Sequence, residues 1–585
     1  MRSSTLPAAA AATDSLVGFL ARGAATVERR RWWIVGLCVV GQWAVVGALS
    51  QQAQHNGWIY QHGDDGPWYW TSAWALTTLH IPYSAVSLGW PYLLTPFAAI
   101  FGPDMAQGLP AVVAFNQLVL APACVVGMYL IGERVAGRLF GVWTAFLWVA
   151  LPVISLLLYA SHARHVVVDS FIPTATGLNA VSDFPSTACA IASGLLLLRA
   201  GESNHWRDAA LCGVVLGFLM LVKPSNAPML LVAAGALLAA RRLRGLLVAA
   251  AAAVPSVLAL AIWKRTGRTD AFVSAPAGGG QPHPGPAPPP GTAAHRHGLF
   301  AHVTDIWNRF LHLPQHYVAF DAHRVGQNIS TLREMFWSFR LLEFLLVAGA
   351  IGLVARGRWR GAVVVGWFLA YALIKGTISY ASVSDTSLYR FLLPAWPAWV
   401  LLVAGVVFCW PIGPDRRTRQ RRVDERRSAV LSAPSPRVVV AAAVVLGVGP
   451  LALVAAASPV EPGTTAQMAY VGAPVAVVDF GLRARPGPDP HSVILTWNPL
   501  RTGRASYIYR VFRGPPPDCE VRSNGAPTCL FNLPLISATQ THTVEDLGAR
   551  GRVIYRVALA AGPRNDPNSV SDLLLLSKPL AFTAR

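Results

Sequence analysis

The sequence predicts a polytopic α-helical membrane protein that carries a small all-β domain at its C-terminal end. Three observations lead there. Apolar residues make up 54% of the 585 and charged residues only 13%, where a soluble chain carries about 25% charge. Runs such as 32–50, 244–263 and 437–457 reach the roughly 17–25 residues that cross a hydrocarbon layer, and they recur along most of the chain. Past residue 470 they give way to short alternating stretches, the period of β-strands.

The first run follows Arg29, Arg30 and Arg31 and reaches Gln51 without a small-residue cleavage site. It is therefore expected to be a first spanning helix rather than a secretory signal. A net charge of +20 would suggest nucleic acid in a soluble protein. Here no nucleic-acid partner is expected, because the charge gathers in short clusters between apolar runs. Spans are expected near 32–50, 110–131, 138–158, 183–199, 207–223, 226–240, 244–263, 341–355, 360–379, 390–411 and 437–457, eleven in all. With residues 1–31 in the cytoplasm, loops 132–138, 199–207, 241–244, 356–360 and 415–427 fall inside. Every one is basic, as the positive-inside rule requires. The stretch 207–240 is interrupted by Lys223, Pro224 and Asn226, which suits either a tight hairpin or a broken helix.

The same alternation places 51–109, 264–340 and everything after 457 outside the membrane. Segment 84–101 is apolar but short and carries Pro91 and Pro96, so an interfacial or re-entrant helix is expected. Residues 276–291 are too rich in proline and glycine for regular structure. Ile306, Phe310 and Leu313 then follow at helical spacing, predicting short amphipathic helices on the membrane surface. The expected division is a cytoplasmic 1–31, a transmembrane domain over 32–457, a linker at 458–471 and an extracytoplasmic domain over 472–585.

In that last domain Val493–Trp497, Tyr507–Phe512 and Val553–Leu559 read as strands between Pro, Gly, Asn and Asp turns, predicting a sandwich of two sheets. Trp497 in its Thr-Trp pair and Tyr555-Arg556-Val557-Ala558 resemble the early core tryptophan and the tyrosine-corner strand of a fibronectin type III domain, over roughly 472–584. Five cysteines (Cys38, Cys124, Cys189, Cys212, Cys409) lie in spans, where the residue serves as a small apolar group. Cys519 and Cys529 share one polar loop of the outer domain, and a disulfide between them is expected in an oxidising compartment.

Chemistry is expected on the outer side. Asp64 and Asp65 stand together in HGDDGPWYW (62–70). Adjacent carboxylates beside a membrane need solvent, a partner or a metal. The surrounding glycines and proline also suit a solvated turn. In the functional alternative one carboxylate accepts a proton from an attacking hydroxyl while its neighbour orients it or a divalent cation. Arg164 and Asp169 fall at the outer end of the third span. Asp183, at the start of the next, says little alone, since charges at helix ends are common. Lys375, Arg390, Arg324, Arg333 and Arg340 supply outer cations able to hold phosphate oxygens or to snorkel to lipid headgroups.

Together, a short cytoplasmic N-terminus, one span, a first outer loop with an acidic pair before aromatics, and an Arg-x4-Asp element after the third span resemble the membrane glycosyltransferases of the GT-C fold. The likeness is greatest to the branch of protein O-mannosyltransferases and the lipid A aminoarabinose transferase. That resemblance implies transfer of a sugar from a polyprenyl-phosphate donor to a glycan, lipid or protein acceptor on the outer face. It implies Asp64 as the catalytic aspartate with Asp65 adjacent, Trp68 and Tyr69 as the following aromatics, and Arg164 and Asp169 as the second-loop pair. Arg390 and Pro394 would be the late donor-phosphate elements. Here the pair is Asp-Asp rather than Asp-Glu, and Gly66-Pro67 precede the aromatics, which leaves open which aspartate is the base. The proline-rich insertion and the appended β domain are not general features of that family. The competing expectation is a multispan lipid or glycan transporter with an outer recognition domain.

Overall fold

The computed structural model describes residues 25–266 except 54–59, 61–64, 82–85, 103–104 and 204; residues 322–409 except 337–338, 377, 379–380 and 384–385; residues 434–459; and residues 476–584 except 490, 500–506, 515–519, 522–526, 529–534, 540, 548 and 562–572. Seven of its helices are long and apolar enough to cross a membrane: α1 (Arg31–Ser50), α4 (Gly108–Ala136), α5 (Arg138–Leu158), α7 (Asp183–Glu202), α10 (Leu243–Thr266), α14 (Ser387–Cys409) and α15 (Pro436–Ala456). Large apolar side chains such as Leu37, Leu247, Phe344, Ile351 and Val440 stand exposed on these helices and on their neighbour α12 (Phe339–Gly357). Such surfaces are unfavourable in water and ordinary against lipid. The chain is thus a multi-pass membrane protein.

Seven corrects the expectation of eleven. The other four expected spans are helices too, with identifiable shortfalls. Trp206–Val222 (α8) and Trp359–Lys375 (α13) have 17 residues each. Pro224–Ala239 (α9) is a shorter apolar helix, and α12 carries Arg340, Glu343 and Arg356 within its 19 residues. Lys223 adopts an extended backbone between α8 and α9, because Pro224 cannot supply the N–H that would continue the helix.

Three shorter helices build one end of the bundle: α2 (Gly66–Thr77), α3 (Gly89–Phe101) and α6 (Ser161–Ser170). The 84–101 segment therefore contains a helix of 13 residues with Pro96 inside it, too short to span. It is pinned down by several bonds. Trp90 Nε1 donates to Ala180 O at 2.6 Å, Trp263 Nε1 to Val86 O at 3.0 Å, and Ser87 Oγ to Val222 O. At Gly89 a Cβ would lie 2.5 Å from the backbone nitrogen of Val222, so only glycine admits this approach. Strand β1 (His80–Ile81) pairs in parallel with β2 (Ser458–Pro459), tying the first loop to the end of α15. Of the amphipathic helices expected over 301–340, α11 (Ala322–Met335) is described; the 276–291 stretch lies outside the described residues.

The C-terminal strands form two larger sheets. One has the order β10–β5–β4, built from Thr543–Asp546, Val493–Thr496 and Arg483–Pro486. The other has the order β3–β12–β11–β6–β9, with β13 also on β11; its strands are Ala476–Val478, Leu573–Ser577, Gly551–Ala561, Tyr507–Gly514, Leu535–Thr539 and Leu580–Ala584. Val493, Leu495 and Trp497 alternate inward and share one buried cluster with Val511, Tyr555 and Val557 of the second sheet. No ladder joins the two sheets among the described residues, and they share that one buried cluster. Tyr555 differs from a tyrosine corner: its hydroxyl donates to the Asp546 carboxylate at 2.8 Å, which also accepts from Arg513 at 2.7 Å. Cys519 and Cys529, and with them the expected disulfide, lie outside the described residues; the five cysteines within those residues are free.

Candidate functional site

Five ionisable side chains that are far apart in sequence gather at one end of the helical bundle. Asp65 occupies the N-cap position of α2, where Pro67 suits the first helical turn. Its carboxylate makes no cap bond and instead accepts from Arg390 Nη2 at 3.3 Å. The same Nη2 donates to Asp183 Oδ2 at 3.2 Å. Asp183, in the first turn of α7, accepts from Lys223 Nζ at its other oxygen, at 2.5 Å. Lys375, the last residue of α13, is buried near enough to Lys223 for the two charges to interact, and it has no carboxylate partner among the described residues.

Each member is held by local structure. Arg390 lies in the first turn of α14, which follows Thr386, whose φ of 63° is left-handed, and its backbone N–H donates to Thr386 O. The preceding loop is clamped by Asn328 of α11, which donates to Ala381 O at 2.8 Å and accepts from Val383 N–H at 3.2 Å. Lys223 sits at the α8–α9 break, with its ammonium 5.8 Å from the centre of the Phe391 ring. Asn226 secures that break: it donates to Ser186 Oγ at 2.7 Å and to Leu219 O at 3.2 Å, and accepts from Tyr371 OH at 3.1 Å. Tyr69, one turn beyond Asp65, shares a 2.6 Å hydrogen bond with Ser182. Burial first, and then the charge of Asp65, push its phenol far above the ordinary value, so it is a neutral hydrogen-bonding group.

Burial divides the carboxylates. The Asp183 side chain is 1% exposed and that of Asp65 49%. A buried carboxylate needs its charge matched, and Lys223 with Arg390 does so. A half-exposed ion pair contributes little and is readily exchanged.

The other expected site residues lie on α6 and α11. Arg164 is exposed, with Nη2 3.5 Å from Tyr159 O. Asp169 is half-buried on the same helix. Arg324 contacts Gln327 within α11 at 3.3 Å. Asp64 and the Trp68 side chain lie outside the described residues. Among the described residues no group of three or more His, Cys, Asp or Glu could hold a metal ion. Sequence reasoning noted Asp183 as an outer carboxylate uninformative by itself and gave Lys223 no role. What could have found them is an ionisable residue inside an otherwise apolar helix or at its break, which is expensive unless paired.

The chain matches no family model and no curated protein. Among solved structures it is similar to the oligosaccharyltransferase of Archaeoglobus fulgidus in the apo form, with 14% identity and a TM-score of 0.35 over 76% of this chain and 57% of that one. It is also similar to that organism's AglB in complex with an inhibitory peptide and a dolichol-phosphate, with 15% identity and a TM-score of 0.36 over 76% and 56%. A third likeness, to the Archaeoglobus fulgidus enzyme with Zn and sulfate, has 13% identity and a TM-score of 0.33 over 73% and 54%. The chain thus spans a little over half the length of the proteins it matches.

Proposed function

We propose that the protein is a glycosyltransferase moving a sugar from a polyprenyl-phosphate donor to an acceptor on the extracytoplasmic face. The observation that carries this reading is the meeting of Arg390 with Asp65 at the end of the bundle where Lys223 and Lys375 also lie. A half-exposed carboxylate beside concentrated cations has the two parts that transfer from a lipid phosphate needs. A base takes the acceptor proton, and cations stabilise the leaving phosphate. Asp64 or Asp65 is the base, and a divalent cation could assist either. On this reading Arg390, Lys375, Arg164 and Arg324 bind the donor phosphate and Asp169 is a further catalytic carboxylate. On the same reading the two C-terminal sheets are a fibronectin type III-like sandwich outside the membrane, beside the reaction.

The test is transfer from a panel of polyprenyl-phosphate sugars by the purified chain in proteoliposomes. Replacing Asp64 or Asp65, whichever is the base, by Asn is expected to lower transfer about 100-fold or more with membrane insertion intact. Arg390→Ala is expected to raise the donor KM. Full turnover in both aspartate variants would defeat the assignment. One feature favours a transporter instead: the buried Asp183–Lys223 pair beside a helix break, an arrangement transporters use. Movement of a labelled sugar-lipid across proteoliposomes without acceptor, and no transfer, would select that reading.

A further inference from the structure

The ion-pair geometry separates the two carboxylates that Arg390 holds. Arg390 Nη2 holds Asp65 at 3.3 Å and Asp183 at 3.2 Å, yet their surroundings are opposite. Asp183 is enclosed and shared with Lys223 at 2.5 Å. That helix end is further fixed by the Tyr69–Ser182 bond and the Asn226–Ser186 bond. Asp65 is half in solvent and has Arg390 as its partner. An arriving anion that wants the guanidinium meets one contact that is hard to break and one that is easy.

We infer that Asp183 and Lys223 are positioning residues that fix Arg390, and that a lipid-linked phosphate binds by displacing Asp65 from it. This rests on the donor reading above and adds an order of events. In the free protein Arg390 occupies Asp65, so the carboxylate is drawn away from proton abstraction. When phosphate takes the outer side of the guanidinium, Asp65 is released toward the acceptor while Asp183 keeps Arg390 in place. Phosphate binding and release of the first-loop carboxylate are then a single exchange of partners, in which no covalent bond changes.

The exchange has a signature that simple charge arithmetic does not produce. Neutralising either aspartate removes a negative charge near the phosphate, so electrostatics alone tightens binding in both cases. The proposal splits them. Binding of undecaprenyl phosphate to the purified full chain in nanodiscs is the measurement. Asp65→Asn removes the competitor and is expected to lower Kd about threefold to fivefold, the scale of a half-exposed ion pair. Asp183→Asn removes the support and is expected to raise Kd about tenfold or more. If Asp183→Asn does not fold, Tyr69→Phe, which loosens the same helix end without changing any charge, is read in its place with the same expected direction. In an Arg390→Ala background the effect of Asp65→Asn disappears. Inorganic phosphate shows the same split at higher concentration, and undecaprenol shows none.

Equal direction in the two aspartate variants, or no effect of Asp65→Asn, overturns the exchange while leaving the donor assignment standing. Failure of the wild-type chain to bind undecaprenyl phosphate overturns both.

Discussion

Asn226 shows how much one residue holds at this site. It stands where α8 breaks from α9, and its amide links α7 through Ser186, α8 through Leu219 O and α13 through the Tyr371 hydroxyl. All of these groups are buried, so an orphaned partner loses its hydrogen bond without gaining water, at about 1–3 kcal/mol. Asn226→Ala is expected to lower thermal stability in detergent by that order, and Tyr371→Phe by about 1 kcal/mol. The double variant should lose less than the sum. Strict additivity in the melting measurements would show that the bond contributes nothing. Asp65 and Arg390 were legible as residue types, a carboxylate before aromatics and an arginine opening an apolar helix. Asp183 and Lys223 were not, because each looks ordinary until a partner 40 positions away neutralises it.

At the scale of elements, the backbones of α8 and α10 come into close contact. A Cβ at Gly213 would overlap the Ala249 carbonyl, and one at Gly217 would come within 2.9 Å of Ala253. Small residues let the two backbones approach, the usual basis of helix association in lipid. Gly213→Leu is therefore expected to lower the melting temperature of the purified protein clearly, since overpacking costs about 1–3 kcal/mol. Gly235→Leu, where a Cβ would meet nothing within 4 Å, should not. Matching melts for the two variants would refute the contact. The positions of all eleven apolar helices could be read from composition, because each is a run bounded by charge or proline. Their lengths could not, since the break at Lys223-Pro224 and the charges within α12 decide how much of each run is uninterrupted. The strands were readable from alternation. Whether their sheets close depends on long-range pairing that alternation does not encode.

Across the whole molecule, α7 connects two charged networks. Asp183 at its start belongs to the candidate site. Glu202 at its end accepts from Arg134 at 2.5 Å and pairs with Arg360 at 3.0 Å, while Arg199 pairs with Asp208. A helix of 20 residues separates these ends by about 30 Å, close to the thickness of a hydrocarbon core. The Glu202 end also collects the junctions at Gly137, His205, Arg242 and Arg358, which are rich in arginine, and on the positive-inside rule we propose that this end is cytoplasmic and the candidate site outward. Single cysteines test this directly in a chain whose native cysteines are replaced. Arg164→Cys, on the exposed side of α6, is expected to react with a membrane-impermeant maleimide in intact cells. Arg207→Cys, at the start of α8, should react only after permeabilisation. The reverse pattern would turn the protein over and remove the outer-face donor from consideration. Labelling of both positions from outside would mean that the helices between them do not cross the membrane.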